Sequence, residues 1–231
     1  MTKDLGAIAV QTLFVVCLVS AVLAVPVHAA ERLRVVTLGD SHSAIEGGFA
    51  RALASATGKR VEHIHVGVVG ASIWDLLRDM PVQRRFKLET LSAWHPGLIL
   101  VAFGTNEAKS WTTAKARAYS TAWEQVLNTL KRIFPGARII VVGPPDADLR
   151  GLAPVRAIQE TMAAQCGAGW VDRVDLMGGE GSMSLWRAAR GGRYASRDGV
   201  HLTADGYSEL ADRVAPIVAE KMICSFARGN H

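Results

Sequence analysis

The 231-residue chain has only three cysteines. Cys17 lies in an apolar N-terminal stretch, and the spacing of Cys166 and Cys224 resembles no zinc-binding or redox motif, which argues against both of those function classes. In an oxidising compartment Cys166 and Cys224 are as open to pairing as to life as two buried thiols. Basic patches interleaved with aromatics are missing as well. Aromatics make up 6% of the chain, the net charge is only +5, and the arginines that supply most of the positive charge are spread out. Nucleic acid is therefore a poor partner, whereas mild basicity suits the neighbourhood of anionic envelope polymers. Internal repeats, low-complexity tracts and linkers are absent, so the chain reads as one domain with a real core.

Long apolar runs are scarce too, with one exception. "LFVVCLVSAVLAVPV", Leu13–Val27, follows Lys3, carries no charge, and leads into Val27-His28-Ala29. That ending supplies the apolar −3 and small −1 positions that signal peptidase prefers. The run is short for a membrane span and fits a secretory signal. The expectation is a signal peptide over residues 1–29 and an exported domain over 30–231, periplasmic or secreted, with no stable membrane insertion once processed. An uncleaved anchor is the alternative, because the apolar count from Ala7 reaches bilayer length. Removing this segment takes away one Lys and one Asp and leaves the net charge unchanged.

The rest of the chain alternates. Apolar runs at Leu33–Leu38, Val61–Val68, Leu98–Phe103, "RIIVVG" from Arg138 and Trp170–Val174 read as strands. Helical stretches lie between them: Ser43–Ala56 closed by Gly58, Ile73–Ala93 interrupted near Pro81, Thr113–Phe134 stopped by Pro135-Gly136, and Ala153–Cys166. Gly178–Gly199 reads as a Gly- and Arg-rich loop, and Thr203–Phe226 as a closing helix with a possible kink at Pro216. The pattern predicts a three-layer α/β/α sandwich around a parallel sheet of about five strands, flavodoxin-like in class. Ligands of such sheets bind beyond the carboxyl ends of the strands.

Those ends carry "GDSHS" after the first strand, "GVVGAS" after the second and "GTNEA" after the third. "RDGVHLT", Arg197–Thr203, precedes the last helix. A serine hydroxyl needs a base, the base needs an orienting acid, and acyl transfer needs donors for an oxyanion. Ser41 as nucleophile, His201 as base and Asp198 as orienter meet the first two needs. The Ser41 amide, the Gly70 amide and the Asn106 side chain are candidate oxyanion donors. This chemistry calls for no metal and no cofactor.

Gly-Asp-Ser, a later Gly, Gly-x-Asn and a terminal Asp-x-x-His resemble, in order and over essentially the whole exported chain, the four blocks of the SGNH (GDSL-type) hydrolases. That resemblance implies catalysis by Ser41, Gly70, Asn106 and His201, with Asp198 completing a triad. Two positions depart from the family pattern: His42 stands where Leu is common, and Gly104-Thr105-Asn106-Glu107 replaces Gly-Gly-Asn-Asp. "GTNEA", "LMGGEGSMSLW" (Leu176–Trp186) and "DGVHLTADGY" are similar to the periplasmic branch that includes peptidoglycan O-acetylesterases. The implied substrate is an acylated carbohydrate or small ester, with O-acetyl the favoured group. A periplasmic thioesterase or lysophospholipase, an O-acetyltransferase and a catalytically silent carbohydrate-binding module are the alternatives.

Several residues have two readings. Asp40 and Trp186 are candidate substrate contacts, Trp186 by stacking on a sugar ring, and its rival role is to pin the loop to the core. His42 reads as packed or solvent-facing more readily than as a substrate contact. Glu107 either orients Asn106 or salt-bridges a nearby Arg. His63 and His65 share one strand face at metal-pair spacing but lack a third ligand. Asp146 and Asp148, after the fourth strand, read as pocket-facing or, more readily, as loop-solvating carboxylates.

Overall fold

The computed structural model describes residues 32–45, 48–77 and 87–223. The expected signal segment, Cys224 and the expected break near Pro81 lie outside the described residues. Strand β1 (Arg32–Gly39) runs straight into helix α1 (Ser41–Ile45), followed by α2 (Phe49–Thr57) and β2 (Arg60–Gly67). After a 3-10 turn at Ile73–Leu76 come α3 (Leu88–Ala93), β3 (Leu98–Ala102), α4 (Thr105–Lys109) and α5 (Ala116–Ile133). The chain continues through β4 (Arg138–Val142), α6 (Leu152–Gln165), β5 (Gly169–Val171), α7 (Arg173–Met177), α8 (Ser182–Ala188) and α9 (Ala204–Ile223).

All five strands are parallel, in the order β2-β1-β3-β4-β5. The sheet splits its side chains by strand alternation. Val36, Leu38, Ile99, Val101, Ile139 and Val141 face one layer, where Tyr119, Trp123 and Leu127 of α5 and Val155 of α6 cover them. Val35, Leu98, Leu100, Ile140 and Val142 face the other, under Phe49 and Leu53 of α2 and Leu210, Val214 and Val218 of α9. Both faces of β3 are fully buried, which explains why its sequence is an unbroken apolar run rather than an alternating one. The result is the expected three-layer sandwich.

The strand order reverses direction between β1 and β3, the position where sheets of this order bind ligands. β1 and β3 are in register up to Gly39 and Ala102, and the Asp40 amide donates to the Ala102 carbonyl at 3.2 Å. The turns after both strands therefore leave the sheet side by side.

Local differences from the sequence expectation have local causes. The helix expected over Ser43–Ala56 is two helices, because Gly48 enters α2 with φ 79°. The helix expected from Thr113 begins as a 3-10 turn, Thr113–Lys115, before α5. The region from Gly178, expected as loop, contains α8, preceded by the short α7. Here the glycines are helix punctuation: Gly178 closes α7 at φ 116° and Gly181 opens α8 at φ 84°, conformations that favour glycine. Asp146 is no solvated loop carboxylate either. It is buried, and it accepts from the Met183 amide at 2.7 Å and the Ser182 hydroxyl at 3.3 Å, holding the start of α8.

At the end of β1, a Cβ on residue 39 would lie 2.0 Å from Ser43 Oγ and 2.5 Å from the Ala102 carbonyl oxygen. Since backbone cannot yield as a side chain can, Gly39→Ala is expected to destabilise the fold by about 1–3 kcal/mol, as overpacking does. Urea unfolding measures this, and a midpoint equal to wild type would contradict it.

Candidate active site

Ser41 is the first residue of α1, immediately beyond β1, and is 7% exposed. Its Oγ lies 3.0 Å from His201 Nε2. On the far side of that ring, Nδ1 lies 2.6 Å from Asp198 Oδ2. With Nδ1–H donated to a carboxylate, the tautomer this network assigns leaves Nε2 as an acceptor for the serine hydroxyl.

Asp198 and His201 are presented by a closed loop. Ala195 and Leu202 form an antiparallel bridge, and the Ser196 amide donates to the His201 carbonyl at 2.9 Å. Within the loop, Asp198 Oδ1 accepts from the Val200 and His201 amides, both at 2.9 Å. Slight burial opposes ionisation of Asp198. The His201 ring, those two amides and the Ser196 hydroxyl outweigh it and hold the carboxyl well below the usual carboxylate range.

The other motif residues sit at neighbouring strand ends. Gly70, at φ 77°, lies in the exposed turn after β2. Asn106 lies in the first turn of α4, directly after β3, and its Nδ2 donates one hydrogen to the Ala71 carbonyl at 2.8 Å. The second Nδ2 hydrogen remains for another acceptor. Gly104 precedes it at φ 131°, where a Cβ would stand 2.9 Å from Gln159 Nε2 and 3.0 Å from Pro144 Cδ. Only glycine fits that approach.

Asp40 and Trp186 do not meet the substrate-contact expectation. Asp40 is 1% exposed, and its Oδ1 accepts from the His42 amide at 3.0 Å, so it caps α1 from beneath. Burial raises its pKa, while the nearby Arg173 guanidinium and the His42 and Thr105 amides pull it back. Trp186 is 6% exposed and donates Nε1–H to the Met177 carbonyl at 2.9 Å. Its ring packs against Tyr194, at 5.8 Å, and the Arg213 guanidinium lies 5.1 Å from its centroid. It pins α8 to the core, the rival of the two roles read for it.

His42, the residue found where Leu is common, is fully buried. Its ring stacks on His201 at 5.0 Å and 28°, and its Nδ1 is 2.9 Å from the Tyr207 hydroxyl. Burial, then the Arg173 and His201 charges, push its pKa far down, so it forms a neutral wall behind the His201 ring. Tyr207 and Arg173, whose Nε donates to the Gly143 carbonyl, were not singled out in the sequence. Tyr207 closes the stretch "DGVHLTADGY", which was its one available signal, whereas Arg173, at the start of α7, lies in no motif stretch.

Neither reading of Glu107 holds. Among the described residues it contacts no arginine, and the Asn106 side chain is bonded to the Ala71 carbonyl rather than to it. Its Oε1 accepts from the Ile73 amide at 2.7 Å. His63 and His65 stack at 5.4 Å, with Nε2 atoms committed to Thr37 Oγ1 at 2.8 Å and to the Ser43 carbonyl. Among the described residues no cluster of three His, Cys, Asp or Glu side chains is placed to hold a metal. Nor, among them, is any helix long and apolar enough to cross a membrane.

Residues 37–208 match the model of the GDSL-like lipase/acylhydrolase family. No curated protein sequence matches the chain. Among solved structures, a peptidoglycan O-acetylesterase superposes with TM-score 0.61 at 22% identity, over 70% of this chain and 47% of that one. The chain thus spans about half the length of that protein. A carbohydrate acetylesterase family member from Sinorhizobium meliloti gives TM-score 0.57 at 19% identity, over 83% and 99% of the two chains. A lipase/acylhydrolase from Enterococcus faecalis gives 0.60 at 17%, over 82% and 96%. These likenesses are likenesses of fold.

The half-buried His63 sets an acid limit. Burial, then His65, push His63 down to about 4 from an ordinary 6.5. Between those values the unfolded chain holds a proton that the folded one does not. The stability His63 contributes is therefore complete above about pH 6.5 and is lost as pH falls through about 4. Melting temperature should fall more steeply across this window in the wild type than in His63→Gln; parallel slopes would contradict the assignment.

Proposed function

The chain belongs to the GDSL-like lipase/acylhydrolase family, a family of carboxylic ester hydrolases, and from that premise we propose that it is an exported serine esterase. Its reaction is removal of short acyl groups, O-acetyl above all, from a carbohydrate of the cell envelope. The observation that carries the chemistry is the continuous hydrogen-bonded line from Ser41 Oγ through His201 to Asp198.

Ser41 Oγ attacks the ester carbonyl carbon while its proton passes to His201 Nε2, and Asp198 steadies the resulting imidazolium. The carbonyl oxygen becomes an oxyanion facing the Ser41 and Gly70 amides and the unused Nδ2 hydrogen of Asn106. The tetrahedral intermediate collapses, the sugar oxygen leaves with the proton from His201, and Ser41 carries the acyl group. Water then gives a proton to His201 and attacks the acyl carbon. The second collapse returns that proton to Ser41 Oγ and releases the carboxylic acid.

Observations of several kinds support the substrate class. Structural neighbours include proteins described as acetylesterases of peptidoglycan and of carbohydrate. A groove of about 480 Å³ between the turn after β4 and α8 is lined by Asp148, Arg150, Glu180, Ser184 and Arg187 together with apolar Ala147, Leu149, Leu152, Ala153 and Met183, and Ser41, Asp198 and His201 are not part of that lining. Its charged and hydroxyl groups offer hydrogen-bond partners to a sugar. The N-terminal segment and the net charge of +5 fit an envelope location.

The test uses residues 30–231 and p-nitrophenyl esters from acetate to palmitate. Ser41→Ala and His201→Ala are expected to lower kcat by several orders of magnitude with the fold intact, and Asn106→Ala by ~10²–10³. Activity should peak at acetate and vanish by about six carbons. A long-chain optimum would assign a lipid substrate, and near-wild-type turnover in Ser41→Ala would overturn the mechanism.

A further inference from the structure

The four amides of the strap from Gly70 to Ile73 are accounted for with one exception. Ala71 N–H donates to the Val68 carbonyl at 3.1 Å. Ser72 N–H donates to Asp75 Oδ2 at 2.7 Å, and Ile73 N–H to Glu107 Oε1 at 2.7 Å. The Gly70 amide has no acceptor among the described residues, as a donor awaiting a substrate oxygen should not. Two consecutive residues of α4 grip this strap from one side: Asn106 through the Ala71 carbonyl, Glu107 through the Ile73 amide.

Keeping a carboxyl in that place is unfavourable for the fold. Glu107 is 2% exposed. Burial, with some help from the Asp40 charge, pushes its pKa up to about 7 against the pull of the Ile73, Gly104 and Glu107 amides. The titratable groups that face it are Asp40 at the β1–α1 junction and Tyr119 of α5, whose hydroxyl is raised by burial and then by Glu107 itself. An apolar side chain would fill the volume without this desolvation penalty. What it would not supply is an acceptor for Ile73 N–H.

We propose that Glu107 is the positioning residue of the oxyanion site: by holding the Ile73 amide it locks the Gly70 strap to the helix that carries Asn106. The Gly70 amide and the Asn106 amide then point at one place because the same short helix sets both. Glu107 touches no reacting atom and acts only through the strap. The inference rests on the serine-esterase reading and deepens it.

Two variants of similar volume separate the acceptor from the packing. Glu107→Gln keeps an oxygen for Ile73 N–H, and Glu107→Met does not. Each is assayed on p-nitrophenyl acetate alongside wild type and Ser41→Ala, with kcat normalised to the fraction of serine labelled by a fluorophosphonate. Hydrogen exchange of the Ala71–Ile73 amides is followed in parallel. The expectation is kcat within about threefold of wild type for Gln. For Met a loss of about 10–10² is expected at nearly unchanged KM, the scale of a small misplacement, with faster exchange of the strap. If Met does not melt cooperatively, Glu107→Asp, which draws the carboxylate back by one methylene, takes its place and should lose kcat likewise. A folded Met or Asp variant with wild-type kcat overturns the inference, as does a Gln variant as impaired as Met. A wild type without Ser41-dependent turnover overturns the esterase reading together with this one; an active wild type with an unaffected Met variant overturns this one alone.

Discussion

The pairing of β1 with β3 is the constraint from which the site follows. Two parallel strands in register up to Gly39 and Ala102 end together, and their following turns have no choice but to emerge together. Gly39 makes the junction possible, because no side chain fits between Ser43 and the Ala102 carbonyl. Gly104 does the same on the β3 side against Gln159 and Pro144. Ser41 and Asn106 follow adjacent strand ends because the sheet reverses its winding there. His201 arrives from the opposite end of the chain, on the loop closed by the Ala195–Leu202 bridge.

Beneath this edge lies a floor of buried polar residues, and its electrostatics are unusual. Asp40 and Glu107 are raised by burial and His42 is lowered by it. Burial thus pushes each of the three towards its uncharged form. Asp198, at the rim, is held the other way, towards its charged form. In the proposed chemistry that contrast matters. The carboxylate best able to answer a charge on His201 is the one hydrogen-bonded to its ring, while the stacked His42 supplies shape and a neutral face. The Tyr207 contact keeps that face in place.

The strands were legible in the sequence because buried parallel strands leave continuous apolar runs, and the positions of Ser41, Gly70 and Asn106 at strand ends followed from that; β5 was read too long, since it ends at Val171 and Val174, expected in it, lies in α7. The segment holding α7 and α8 was not legible as helix. Its glycines, read as loop, are the caps of two short helices whose stability comes from packing Met177, Met183 and Trp186 into the core. Single polar residues were the hardest to read. Glu107 answers an amide 34 positions away and His42 a hydroxyl 165 positions away, and no local pattern encodes such partners. Asp40 and Trp186 look like functional residues in a motif-rich context. Both are turned inward, because a helix start needs a cap and a short helix needs an anchor.

The most direct test of the central claim is to trap the acyl-enzyme. Residues 30–231 are mixed with an activated acetyl ester, quenched in acid within the first turnovers, digested and analysed by mass spectrometry. The account predicts an acetyl group on the peptide bearing Ser41, on Ser41 itself, and none in the His201→Ala variant over the same interval. Turnover with no covalent adduct, or an adduct on another residue, would contradict it.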